Sequence, residues 1–403
     1  MDAGWLRWPI TVLLALGLAC GREPPRFQSQ PGEVTLVHLF SVGDDEDWPG
    51  DRRNAEGGRD QVVLGRVADA ALTPEGGLVV LDALGANILR FAADGGYLGT
   101  VGRKGQGPGE MLTPSGIAVV SSGAIVVWDP GLARMSVFDR IGRFERSWRV
   151  PEPSLVADRV LFPSGDDGVL LRVGGRSPAS PIRPLGFFFL RFDTRGAVGD
   201  SIAFPGEPVA VPLVPGPIRD AVPFVAYPDW TVLRSGTIAL TPRSVYHVTL
   251  FGPRGQRTEI VRDVPAPAVL RDEAEAWRSA ITKVVRRRVP GWDWDGWEIP
   301  PRKPVIRRIE PADDGRLLVL IHSPAEPVND TTESGTRWVE PSVIHIHSAG
   351  GALEAVLRLP PGSRLLRLRG DRLAVLSRSV TGAPKVDVYR IVPNQRGTSL
   401  QNR

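Results

Sequence analysis

Shifting the sequence by 47 residues brings two segments into register without a gap. The first, "ALTPEGGLVVLDALGANILRFAADGGYL", begins at Ala71, and the second, "AVVSSGAIVVWDPGLARMSVFDRIGRFE", begins at Ala118. Ala71/Ala118, Gly76/Gly123, Val79/Val126, Val80/Val127, Asp82/Asp129, Phe91/Phe138 and Gly95/Gly142 coincide. Each unit reads as a short strand, a glycine turn, an apolar strand, a polar loop, a strand ending in Phe, a second glycine turn and a last strand. A unit of this size cannot bury its apolar faces alone and must pack on copies of itself.

Weaker copies follow. "DDGVLLRV" (Asp166–Val173) pairs with "FFFLRFDTRGAV" (Phe187–Val198), and "RSGTIALT" (Arg234–Thr241) with "YHVTLFGPRGQ" (Tyr246–Gln256). "DDGRLLVLI" (Asp313–Ile321) pairs with "SVIHIHSAGGAL" (Ser342–Leu353), and "GDRLAVLS" (Gly370–Ser377) with "KVDVYRIV" (Lys385–Val392). A four-stranded unit with a period of about 40–50 residues is a propeller blade. The expected fold is therefore all-β: a six-bladed β-propeller over residues 33–403, with a helical, Trp-rich insertion at 266–304 between blades four and five. The last unit lacks an outer strand, and "EVTLVHLF" (Glu33–Phe40) is available to supply it and remove the exposed edge.

Within this frame "GRKGQGPGEM" (Gly102–Met111) is not a phosphate loop. "LTPSGIAVV" follows it and leads into a strand, whereas phosphate cradling needs a helix N-terminus behind the glycines. Lys104 also precedes most of the glycines, and the segment reads as the crossing from blade one to blade two.

The stretch "VGRKGQGPGEMLTPSGIAVV…GAIVVWDPGLARMSVFDRIGRF" resembles the NHL-type six-bladed β-propellers, specifically their bacterial lipoprotein relatives. "IPPRKPVIRRIEPADDGRLLVL" and "LPPGSRLLRLRGDRLAVLS" are similar to the last two blades of that group. The resemblance spans nearly the whole mature chain and is densest over residues 65–145. It implies fold more than function, since such propellers include lyases, lactonases and plain binding proteins.

The N-terminus supplies an address. Arg7 precedes an apolar run from Trp8 to Ala19, too short to span a membrane comfortably and placed as a signal peptide is. The run ends at Cys20, the single cysteine of the chain. "LGLAC" resembles the lipobox of bacterial lipoproteins, with Gly17 where that motif prefers Leu; an ordinary secretory signal with an incidental cysteine is the alternative. The expected organisation is a signal peptide at 1–19, then a lipidated Cys20 and polar tether at 20–32. The mature protein would be lipid-anchored in the cell envelope, outside the cytoplasm. Gly21, rather than Asp, follows the cysteine; by analogy with lipoprotein sorting this favours the outer membrane where there are two. The net charge of +4 comes from 45 Arg and 4 Lys interspersed with 45 acids. No concentrated basic stripe emerges, and nucleic acid is not an expected partner.

Function is expected where the extra length falls. In a four-stranded antiparallel blade the second-to-third loops and the blade-to-blade crossings share one face. "GGRSPASPIRP" (Gly174–Pro184), "HSPAEPVNDTTESGTRWVEP" (His322–Pro341) and the crossing Ala266–Pro304 all decorate that face, which also carries Gly102–Gly109. In the crossing, "RDEAEAWRSAITKVVRRRVP" places Ala274, Trp277, Ile281, Val284 and Val285 at helical spacing. Acids open the helix, Arg286, Arg287 and Arg288 close it as a solvated end matched to its dipole, and Pro290 stops it. Its apolar stripe either packs on the propeller or binds a partner. "GWDWDGWEIPP" then sets Trp292, Trp294 and Trp297 among carboxylates. These indoles could grip a glycan, peptide or cation, or pin the helix to the propeller. Arg103, Lys104 and Arg134 are candidate polar edges of the same ligand site.

Signals for catalysis are weak. His345 and His347 lie two apart in a third strand, so one side of the sheet carries both; an outward polar pair away from the axis explains them more simply than a metal. Asp82 and Asp129 end second strands in two units without counterparts in the others, which points to turn structure. No G-x-S-x-G motif occurs. The expected protein has no catalytic residues, metal or cofactor and binds a protein, peptide or glycan ligand on its decorated face. A metal-dependent lyase or lactonase on the same fold is the alternative.

Overall fold

The computed structural model describes residues 34–43, 62–150, 155–174, 187–205, 214, 222–295, 298–330, 335–379 and 382–393. The signal segment, Cys20, the tether and most of the loop at 174–184 lie outside the described residues. Six four-stranded antiparallel sheets form the blades of a propeller ring. Blade one holds β2 (Val67–Leu72), β3 (Leu78–Asp82), β4 (Asn87–Phe91) and β5 (Tyr97–Val101). Blade two holds β6 (Gly116–Val119), β7 (Ile125–Asp129), β8 (Arg134–Phe138) and β9 (Phe144–Arg149). Blade three runs through β10 (Leu155–Ser164), β11 (Gly168–Gly174), β12 (Phe187–Asp193) and β13 (Val198–Ile202). Blade four comprises β14 (Asp229–Val232), β15 (Ile238–Thr241), β16 (His247–Phe251) and β17 (Arg257–Val261), and the helix α1 (Arg271–Arg286) follows it. In blade five, β18 (Ile306–Pro311) and β19 (Leu317–Ile321) are separated from β22 (Val343–His347) and β23 (Leu353–Arg358) by a hairpin of β20 (Glu326–Asp330) and β21 (Gly335–Val339).

Blade six is built from both ends of the described chain. Its inner strands are β24 (Arg364–Arg369), β25 (Arg372–Arg378) and β26 (Pro384–Pro393), and its outer strand is β1 (Val34–Gly43). Val34 pairs with Pro393 and Val42 with Val386, antiparallel as ring closure by an early strand requires.

The apolar core is divided into six slabs, one between each pair of neighbouring blades. Strand alternation produces this directly. Ala70, Leu72 and Val80 turn toward blade six, whereas Ala71, Val79 and Leu81 turn toward blade two. Strands such as "LVVLD" are buried at every position because a blade is covered on both faces. Each such side chain contributes about 1.5–3 kcal/mol relative to exposure. The repeated glycines take the same backbone conformation, φ +87° at Gly95, +88° at Gly142 and +93° at Gly196, which a residue with a Cβ adopts at a cost.

Several arginines are inter-blade fasteners. On the face of the short turns, Arg372 donates to the carbonyls of Gly76 (2.6 Å) and Ala93 (2.8 Å) of blade one, and Arg90 to Ile141 O (2.5 Å) of blade two. Arg234 of blade four donates to Gly165 O (2.6 Å) and Asp313 O (2.9 Å), joining blades three and five. At the axis the buried Arg367 reaches Asp69, Ile117 O and Leu161 O, and Arg369 reaches Leu72 O and Val119 O. Asp69 and Asp229 repeat one device on opposite sides of the ring. Each carboxylate accepts the next residue's N–H and an inner-strand N–H of the following blade, that of Ile117 or Ile309.

Candidate functional site

The decorated face is organised around α1. Asp272 and Glu273 open the helix and Lys283 and Arg286 close it. It ends at Arg286, one turn short of Pro290; Arg287 caps it, and Arg286 to Arg288 are exposed. Ala274 and Ile281 pack on Val222, Phe224, Val225, Val269 and Ile299 with Trp292 and Trp294, and Val285 is fully buried. The predicted stripe is therefore only partly correct, since Trp277 (42%) and Val284 (48%) remain exposed. The helix is rolled so that Glu273, rather than those two residues, enters the interior.

The cause of that roll is Lys303. Its buried ammonium bonds Glu273 Oε1 at 2.7 Å, Glu340 Oε1 at 2.9 Å and Ser323 O at 3.3 Å, and lies 5.0 Å from the centre of the Phe224 ring. The other oxygen of Glu340 accepts a hydrogen bond from His322 Nδ1 at 2.8 Å. Although burial works against its ionised form, hydrogen bonds and charge from His322 and Lys303 hold Glu340 down at about 2. Burial depresses His322 against the pull of Glu340. Phe224 packs edge-on against both His322 (5.8 Å) and Trp277 (5.9 Å). One ionic cluster thus joins the helix, the crossing and the segment after β21. Sequence reasoning missed Lys303, Glu273 and Glu340; the one signal was a lysine in a chain that has only four.

Of the predicted contact residues, Trp292 and Trp294 meet edge to face at 6.5 Å and pack beneath the helix. Trp294 also lines an open groove of about 940 Å³ with Arg278, Thr282, Arg286, Asp293 and Asp295. Arg286 shapes one end, donating to Trp292 O at 2.7 Å and lying 3.5 Å from Asp293. Both tryptophans therefore pin the helix, and of the two Trp294 also borders the groove, while Trp297 lies outside the described residues.

Arg103 and Lys104 belong to the crossing between blades one and two and Arg134 to β8 of blade two, across the ring from the tryptophans. Arg134 donates to Gln106 O (2.9 Å), Gly107 O (3.1 Å) and Glu110 O (2.5 Å), while Arg103 pairs with Glu110 at 2.8 Å. These guanidinium groups hold the glycine-rich crossing in shape, and Lys104 is exposed. The structure does not bring the two groups of residues together.

His345 and His347 are not an outward pair. Both are buried and share the hydroxyl of Tyr246 from blade four, at 2.9 Å and 2.8 Å. His347 Nδ1 donates to Gly351 O at 3.0 Å, so its Nε2 accepts the Tyr246 proton, and Tyr246 accepts from His345 Nδ1. Burial lowers His345 to about 3 and His347 to about 4. Asp82 accepts the N–H groups of Gly65, Arg66 and Leu84, and Asp129 those of Leu112, Thr113 and Gly131, which is the turn role expected of both. Among the described residues no three His, Cys, Asp or Glu side chains converge as metal ligands.

The molecule is thus a six-bladed β-propeller with one helix lying between blades four and five. No protein-family model matches the chain, and no curated protein matches it in sequence. Among solved structures, a member of the DUF4221 family from Bacteroides vulgatus is similar over 90% of this chain and 100% of its own, with 13% identity and a TM-score of 0.52. A candidate exported protein from Bacteroides fragilis matches over 91% and 98%, with 12% identity and a TM-score of 0.45. A gluconolactonase from Xanthomonas campestris matches over 92% and 95%, with 14% identity and a TM-score of 0.41. At these identities the likeness is one of fold.

Proposed function

We propose that this protein is a lipid-anchored, extracytoplasmic member of the NHL-type propellers that binds a protein, peptide or glycan on its decorated face without transforming it. The observation that carries the reading is the groove between α1 and the tryptophan loop. Trp294 offers an indole face there, and Arg278, Arg286, Asp293 and Asp295 offer polar edges of both signs. Indoles beside carboxylates and guanidinium groups suit sugar rings and peptide side chains. Lys303 fixes the helix that forms one wall, so the groove is held open before a ligand arrives. The signal-like run and the lipobox-like "LGLAC" support the anchor at Cys20.

Glycan and peptide arrays probed with the purified protein and with its Trp294→Ala variant test the binding reading. Ligands retained by the parent and lost by a folded variant support it; equal binding by both overturns it. Mass spectrometry of the mature N-terminus tests the anchor. A diacylglyceryl group on Cys20 is expected, and a free thiol at that residue removes it from the proposal.

A further inference from the structure

The axial mouth of the decorated face carries charge that the tryptophan groove does not use. Here β18 has a bulge: Ile306 pairs with Ile321 and Arg308 with Leu320, so Arg307 is the extra residue. Corresponding bulges in the inner strands of blades one and six put Ala68 and Leu366 at that position. In blade five the position holds an exposed arginine. Bulges re-aim a side chain, and here the residue so placed is an arginine exposed on the inner strand of blade five.

Arg307 there faces Arg243 and Arg308 as well as Glu340 and Glu310. The carboxylates have other duties. Glu310 pairs with Arg308 at 3.0 Å, Glu340 holds Lys303 and His322, and Asp229 accepts the N–H groups of Trp230 and Ile309. Among the described residues Arg307 has no hydrogen-bond or ion-pair partner. Arg243 is buried, donates Nε to Ile306 O at 3.1 Å and lies 4.5 Å over the ring of Tyr227. Among the described residues no carboxylate takes its terminal nitrogens. Arg243 is also one of four non-glycine residues with positive φ among the described residues, at +66°. Strain held in a rigid ring is a mark of residues placed for a ligand. Three guanidinium groups set beside one another, two of them bonded to no carboxylate among the described residues, are relieved by an anion from outside.

We propose that the axial mouth binds an oxyanion, the carboxylate or phosphate group of a small ligand, between Arg307 and Arg243. The planar guanidinium fork suits both groups, and Arg307 is free to close on either. The site is separate from the tryptophan groove and does not depend on ligand binding there.

The test is thermal unfolding of the purified full chain titrated with sodium phosphate or sodium acetate, against sodium chloride at matched ionic strength. A saturable rise in Tm with phosphate assigns a phosphate-bearing ligand, and one with acetate a carboxylate-bearing ligand. In Arg307→Gln the half-saturation concentration rises about tenfold or more, as loss of a charged hydrogen-bonding partner implies. Arg307 is exposed and unpartnered, so this variant keeps the fold. Arg146→Gln, on the outer strand β9, and Trp294→Ala keep the parental response. Neither anion exceeding chloride, or an unchanged response in Arg307→Gln, overturns the proposal.

Discussion

Arg367 Nη2 and Asp69 Oδ2 meet at 2.7 Å near the ring axis, 298 residues apart in sequence. The same nitrogen reaches Ile117 O at 3.2 Å and Leu161 O at 2.9 Å, so one guanidinium of blade six touches blades one, two and three. Replacing Arg367 with methionine leaves Asp69 buried without its cation and removes donors from two carbonyls. The expected loss is about 3–5 kcal/mol, read as a lower denaturant midpoint by tryptophan fluorescence. A variant within about 0.5 kcal/mol of the parent would show that the axis needs no ion pair.

Lys303 is tested by pairing substitutions. Lys303→Met strands Glu273 in the interior, and about 3–5 kcal/mol of stability is expected to be lost. Lys303→Met combined with Glu273→Leu recovers most of it, because Glu340 keeps His322 and no buried carboxylate on the helix is left unpaired. A double variant as unstable as the single one would place the lost stability outside this ion pair.

Acid sensitivity follows from the imidazoles shared with Tyr246. An unfolded histidine titrates near 6.5, whereas His345 and His347 titrate at about 3 and about 4 when folded. Between pH 4 and 6.5 the unfolded chain therefore binds more protons. Their contribution is intact above pH 6.5 and falls with acidification by about 1.4 kcal/mol per pH unit for each. Asp313 has the opposite sign: burial raises it to about 6, so between pH 4 and 6 the folded form holds the extra proton. His322, also depressed by burial, has the sign of His345 and His347, and three imidazoles against one carboxyl leave a net loss of stability on acidification. Urea midpoints from pH 7.5 to 4.5 fall in the parent, and the slope flattens or reverses in His345→Gln/His347→Gln. Parallel slopes in the two proteins would remove the imidazoles from the account.

Gly142 is the most constrained of the repeated turn glycines. A Cβ there would lie 2.2 Å from Val101 Cγ2 of blade one, and its φ of +88° disfavours side chains independently. Gly142→Ala is expected to cost about 2 kcal/mol or more, whereas Gly255→Ala, with open space around it, costs about 1. Equal midpoints for the two variants would mean that the contact with Val101 relaxes freely.

The blades were legible because their marks are local. Gly76 and Gly123 set one turn, Phe91 and Phe138 end equivalent strands, and alternation between them reports two buried faces. The closing strand at 33–40 was legible for a related reason, since six units offered one place too many for the strands in them. What was not legible depends on segments meeting in space. Glu273, Lys303 and Glu340 carry no motif, and each alone resembles a solvated charge. His345 and His347 face inward because Tyr246 of the neighbouring blade supplies their partner. The stretch 322–341 reads as loop from its prolines and polar residues, yet Glu326–Asp330 and Gly335–Val339 pair as a hairpin. Trp277 has the spacing of a core residue and is displaced by a carboxylate that the lysine draws in.

The joint between β1 and β26 also sets a schedule. Ser41 and Asp387 share a hydrogen bond across 346 residues, so β1 has no partner until β26 exists. Early blades can pack on one another as they appear, but the ring cannot lock until β26 has been made. In a chain threaded through a membrane N-terminus first, β1 would wait on the far side as a lone strand with an open hydrogen-bonding edge. The interval between its arrival and that of β26 is when this protein is most exposed to mispairing, and any chaperone that serves it has that strand to shield.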